Sequence, residues 1–125
     1  MEYVSTVKAP VAVGPYSQAV KTGNMLFCSG QIGLVPETGK MAGDDIDGQT
    51  RQVLTNLAAV LEAAGFAPGD VVRATVFLAD MNHFPVVNRI YADFFGPHKP
   101  ARATIQVAAL PLGALVEIDC IAVKA

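Results

Sequence analysis

Between Ile46 and Ala64, apolar residues return at three- and four-residue steps: Val53, Leu54, Leu57, Val60, Leu61 and Ala64. That period lays one apolar stripe along a helix, and such a stripe has to be buried against another element. Asp44, Asp45 and Asp47 stand near its start, where the helix dipole favours negative charge, and Gly65 supplies the left-handed residue that ends it. A second stripe, Val87, Ile90, Tyr91 and Phe94, follows Asn82 as its expected cap, tolerates Pro85 in its first turn and stops at Gly96-Pro97. The remaining apolar residues fall into runs of strand length. Two helices of this size can cover only one face of a sheet built from so many strands. The fold class expected is therefore α/β (α+β), a mixed sheet with two helices on one face.

The strands read as follows. Glu2–Lys8 alternates weakly, and Ser17–Lys21 and Met25–Ser29 form a hairpin through Thr22-Gly23-Asn24, where Gly and Asn supply positive φ. Val71–Leu78 has an apolar face of Val72, Ala74, Val76 and Leu78 and a mixed face of Arg73, Thr75 and Phe77. Ala103–Val107 and Leu115–Val123 complete the set. If alternation holds, Arg102, Thr104 and Gln106 join Arg73, Thr75 and Phe77, together with Glu117, Asp119, Ile121 and Val123, on the uncovered face. That mixture is too apolar for water and too polar for a core, which fits a surface between subunits with a site at its edge. No repeat or linker divides the 125 residues, so a single domain over 1–125 is expected. With 52% hydrophobic and only 16% charged residues, a second buried surface between copies is expected too.

Several function classes fall away. The net charge is −2 and the Lys and Arg residues are scattered, so a nucleic acid is not an expected partner. No run approaches the roughly 18 apolar residues of a membrane span and no signal-like apolar segment opens the chain, so a soluble cytoplasmic protein is expected. Cys28 and Cys120 lie in apolar strand-like runs and read as buried reduced thiols. His83 and His98 have no partner at metal-ligand spacing. The stretch GLVPETGKM has the look of a phosphate loop, but five residues separate Gly33 from Gly39 where four are needed, and Met41 stands where a hydroxyl should.

The remaining chemistry gathers late in the chain. Arg102, in PARATIQVAALP, presents a planar fork that binds carboxylates through two parallel hydrogen bonds. It serves equally well as the partner of a structural ion pair with Glu117 or Asp119. Glu117 sits between Val116 and Ile118, so partial burial would raise its pKa and suit it to activating a water; an ordinary exposed strand acid is the alternative. Tyr16, in GPYSQA, offers a pocket wall or plain packing. Ser29-Gly30-Gln31 offers backbone N–H groups to an anion, or a plain turn.

Taken together, PARATIQVAALPLGALVEI resembles the signature of the RidA/YjgF family of enamine/imine deaminases. Pro100-Ala101-Arg102 is followed by Leu110 and then by the apolar-Glu-apolar triplet Val116-Glu117-Ile118. The resemblance extends through GPYSQAV, CSGQIG, LEAAG, VVRATVFLADMNHF and VNRIYADFF, and so over essentially the whole chain. It implies a subunit similar to the trimeric chorismate mutase fold, with three copies meeting through their sheets and sites in the clefts between them. It implies cofactor-free hydrolysis of 2-aminoacrylate- and 2-aminocrotonate-type enamines or imines to 2-keto acids and ammonia. By matching position, Arg102 would clamp the substrate carboxylate and Glu117 would handle the attacking water and the departing amine. Tyr16 and Asn88 would line the pocket, and the Ser29-Gly30 turn would hold the ligand. Thr104 stands where many members have Cys, a departure that bears on pocket size and on thiol chemistry but not on the water mechanism. A carboxylate-binding 2-keto acid sensor without turnover is the alternative, and the ribonuclease role attributed to some relatives sits poorly with the acidic pI.

Overall fold

The computed structural model describes residues 1–125. In chain order the elements are β1 (Glu2–Val4), β2 (Ala19–Thr22), β3 (Met25–Gln31), α1 (Ile46–Ala63), β4 (Val71–Leu78), α2 (Phe84–Phe95), β5 (Ala101–Gln106) and β6 (Val116–Val123). The strands form one sheet in the order β1-β2-β3-β6-β4-β5. Strand β6, last in the chain, is inserted between β3 and β4 and is antiparallel to both; β4 and β5 are the one parallel pair, joined through α2. Parallel neighbours need such a crossover, and α2 supplies it.

Strand β6 alternates without a break. Val116, Ile118, Cys120 and Ala122 are buried, while Glu117, Asp119, Ile121 and Val123 are half-exposed. The buried set shares one core with Val53, Leu57 and Leu61 of α1 and with Val87, Ile90 and Tyr91 of α2. Both helices therefore cover the same face, as two stripes in a chain of strands require. The other face has no covering element. Phe27 pairs across from Ile121 there, and Phe77 from Glu117.

The local readings were right in kind and wrong in several details. The hairpin turns at Gly23, which alone has positive φ (58°); Asn24 does not. The first strand stops at Val4, three residues into the stretch that alternates. A shift in register between Val71 and Arg73 buries Val71 and leaves Val72 46% exposed, reversing the expected face at that end of β4. Asn82 does not cap α2: Asp80 caps a one-turn 3-10 helix, Met81–His83, its carboxylate accepting from the Asn82 N–H, and α2 follows from His83 with no side-chain cap. The α2 stripe closes on Phe95 instead of Phe94. Cys28 and Cys120 are both buried and free, as expected, and face each other across β3 and β6.

Sequence periodicity does not reveal how the loops are held. Three buried amides do much of that work. Gln18 accepts from the Thr6 N–H and donates to the Thr6 and Pro10 carbonyls, fixing the loop between β1 and β2. On α1, Asn56 donates to the Ile32 and Leu34 carbonyls at 3.2 and 2.8 Å, and Gln49 donates to Gly43 and accepts from the Leu115 N–H. These bonds tie the exit of β3 and the entry of β6 to one helix. Replacing buried Asn56 with Ala strips two part-buried carbonyls of their donor and is expected to cost about 1–3 kcal/mol. Urea unfolding checks this, and a loss below about 0.5 kcal/mol would show that water replaces the amide.

Candidate active site

Glu117 leaves β6 on the uncovered face, opposite Phe77. Its carboxylate lies over Gly30: a Cβ built at that glycine would fall on Oε2, with Cδ only 2.8 Å away. The residue at 30 has to be glycine for Glu117 to lie where it does. Ser29 and Gly30 also fall where the register of β3 against β6 shifts, between Cys28 and Gln31, so this backbone is lifted out of the ladder. Ser29 is pinned by its hydroxyl, which donates to the Ser17 carbonyl, and by its N–H, which donates to Gln18. Burial, and secondarily the neighbouring Asp119, raise the pKa of Glu117 above the ordinary carboxylate value. Asp119 is itself raised by burial.

Beside Gly30 opens a hollow of about 300 Å³, walled by Val11, Val13, Tyr16, Ile32 and Leu112. Tyr16 is 54% exposed, so about half of this wall faces solvent. Glu117, Gly30, Ser29 and Tyr16 thus belong to one neighbourhood.

Arg102 does not belong to it. The parallel register pairs Ala74 with Arg102, Val76 with Thr104 and Leu78 with Gln106, and partners in register share a face. Ala74, Val76 and Leu78 are core residues, so Arg102, Thr104 and Gln106 lie on the helix side and not with Glu117 as alternation suggested. The expectation failed because ARATIQ alternates polar Arg102, Thr104 and Gln106 with apolar Ala101, Ala103 and Ile105, and here it is the polar side that faces the helices. An edge strand tolerates this, since α2 leaves Arg102 and Thr104 half-exposed and Gln106 exposed. The Arg102 Nη1–H donates to Asn88 Oδ1 at 2.8 Å, and the guanidinium lies 4.8 Å from the Tyr91 ring and 5.5 Å from that of Phe84. A structural ion pair with Glu117 or Asp119 is absent; the one salt bridge in the chain is Arg51–Asp47 on α1. Arg102, Asn88 and Tyr91 line a separate hollow of about 370 Å³, with His98 and Lys99. The hydroxyls of Thr104 and Tyr91 are buried without a partner.

The sequence-derived residues therefore form two groups on opposite faces of the sheet. Glu117, Gly30, Ser29 and Tyr16 make an acid-bearing half, and Arg102, Asn88 and Thr104 make a cationic half. The contribution of Phe84 was missed, and Tyr91 was read only as core. Their spacing from Asn88 carried the signal, since positions 84, 88 and 91 share one helix stripe.

The family model described as "Endoribonuclease L-PSP" matches residues 6–124. The chain is 54% identical over 97% of its length to the chloroplastic Reactive Intermediate Deaminase A of Arabidopsis thaliana, and spans 65% of that protein. It is 50% identical to the 2-iminobutanoate/2-iminopropanoate deaminase of Mus musculus, over 97% of this chain and 90% of the other. The crystal structure of the YjgF gene product of E. coli superposes with a TM-score of 0.95 at 44% identity and covers all of both chains. By sequence along nearly its whole length, and by a fold that superposes throughout, the chain belongs to the RidA/YjgF family.

Proposed function

We propose that this chain hydrolyses reactive 2-aminoacrylate- and 2-aminocrotonate-type enamines, or their imine tautomers, to 2-keto acids and ammonia. The observation that carries the reading is the pair of half-sites. A carboxyl group with raised proton affinity lies against Gly30, and Arg102 is held by an amide and two rings with no carboxylate to neutralise it. The deaminase names of the curated relatives support the same chemistry.

The substrate carboxylate docks on the free edge of the Arg102 fork. Glu117 takes a proton from water as its oxygen adds to the imine carbon, and gives that proton to the imine nitrogen to form a neutral carbinolamine. The same carboxylate then takes the carbinolamine hydroxyl proton and delivers it to nitrogen, so that the C–N bond breaks, ammonia leaves and the carbonyl of the keto acid forms. An imine carbon is already electrophilic, so positioning and acid–base help suffice and the reaction calls for no cofactor. Tyr16 and the Ser29-Gly30 turn flank the substrate on the Glu117 side, and Asn88 and Thr104 on the Arg102 side.

Because the two halves lie on opposite faces of one sheet, the reading includes assembly. The uncovered face of one copy supplies Glu117 and the β5 edge of its neighbour supplies Arg102, in a closed homotrimer of single-domain subunits with a cleft at each seam. A 2-keto acid sensor without turnover would use the same Arg102, but it gives a proton-accepting Glu117 nothing to do. RNA cleavage, suggested by the description of the family model, finds no basic surface in a chain of net charge −2.

The test adds the protein to a serine or threonine dehydratase and follows keto acid and ammonia release. Arg102→Ala is expected to lose about 10²-fold or more in kcat/KM through lost carboxylate binding. Glu117→Gln is expected to lose about 10²–10⁴-fold in kcat. Wild-type rates in both variants would sink the proposal, and keto-acid binding without any rate effect would favour the sensor.

Two further outcomes follow from the geometry. Activity depends on ionised Glu117, so it falls as pH drops through the folded-state pKa, which lies above the ordinary value near 4.5. Asp119→Asn removes a neighbouring negative charge and shifts that acid limb to lower pH; a shift upward in the pH–rate profile would contradict the assignment. Gly30→Ala displaces the Glu117 carboxylate and leaves the core intact, so kcat is expected to drop about 10²-fold with little change in thermal midpoint.

A further inference from the structure

Arg102 is a long side chain on an edge strand, and in water its fork would sample many positions. Here it has a fixed seat. Phe84, Asn88 and Tyr91 are spaced four and three residues apart on α2, so they stand on one stripe of the helix, and that stripe faces β5. Asn88 takes one N–H of the guanidinium at 2.8 Å. The Tyr91 and Phe84 rings receive its cationic plane at 4.8 and 5.5 Å. A guanidinium has five N–H donors, so this seat holds the group and leaves most of the fork open to a ligand. Neutral rings and an amide do this without competing for the charge, as a carboxylate partner would.

We propose that Phe84 and Tyr91 are positioning residues that, with Asn88, pre-set the Arg102 fork for carboxylate capture. The inference rests on the reading of Arg102 as the carboxylate clamp. Tyr91 is 7% exposed and its hydroxyl has no partner, so the ring and not the hydroxyl is what the position needs. Half-buried Phe84 packs at the margin of the core, where its ring is free to serve Arg102 as well. Seating the fork beforehand lowers the ordering cost that substrate binding would otherwise meet.

The experiment measures pyruvate and 2-oxobutanoate affinity by calorimetry, with KM and kcat from the coupled assay. Phe84→Leu, Tyr91→Leu and Tyr91→Phe are made alone and in the Arg102→Ala background. Each Leu variant is expected to weaken keto-acid affinity and raise KM about three- to tenfold, with kcat at saturation within about twofold. Tyr91→Phe, which keeps the ring, should recover most of what Tyr91→Leu loses. The Leu penalties should vanish when Arg102 is Ala, because rings that act through Arg102 have nothing left to position. Penalties that persist undiminished without Arg102 would make the rings core packing and overturn the proposal. So would strong dependence on Arg102 with no effect of either Leu variant. Wild-type affinity in Arg102→Ala alone would instead overturn the clamp reading beneath it.

Discussion

Strand β6 meets two environments at once, and the rest of the structure follows from how it divides them. It lies between β3 and β4, so neither of its edges is free. Its side chains must go up or down, and period two makes the choice rigid. Val116, Ile118, Cys120 and Ala122 are committed to the helices, which commits Glu117 and Asp119 to the face without them. A slip of one residue would bury both carboxylates under α1 and expose the core set, at a cost no packing adjustment recovers. The acid of the proposed mechanism is therefore held in place by the hydrophobic effect acting on its neighbours.

The class of fold was legible because periodicity is a long-range signal repeated many times over. Both helices and the alternation of β6 could be read from spacing alone. Errors came where the signal was local or absent. A single irregularity at Val72 exchanges Val71 for Val72 in the buried set at the start of β4, leaving Ala74, Val76 and Leu78 buried, and no neighbour in the sequence announces it. ARATIQ alternates apolar and polar residues but turns its polar side to the helices, against the usual rule, so only its pairing with β4 shows that Arg102 and Glu117 diverge. The late motifs singled out these two residues for their chemistry. Sequence spacing could not show that they turn away from each other.

Loops complete the acid-bearing half of the proposed site, and their placement depends on polar groups that a hydrophobic reading passes over. Asn56 and Gln49 on α1 and Gln18 at the start of β2 have their amide groups enclosed and bonded to backbone. Each satisfies groups that would otherwise be costly to bury, and each fixes a segment that borders Gly30 or Glu117. Buried amides of this kind are invisible to an apolar-stripe count, because they sit on the stripe as exceptions. They link the packing of α1 to the geometry on the far side of the sheet.

The divergence of Arg102 and Glu117 has a consequence for inheritance as well as for chemistry. With its acid and its cation facing opposite ways, one copy of the chain holds every part of the proposed site and completes none of it. In the proposed assembly, clefts between different copies would draw one group from each gene product. In a cell that makes two versions of this chain, the working unit would be the seam and not the polypeptide. A defect in one version would then spoil some clefts and spare others within the same particle.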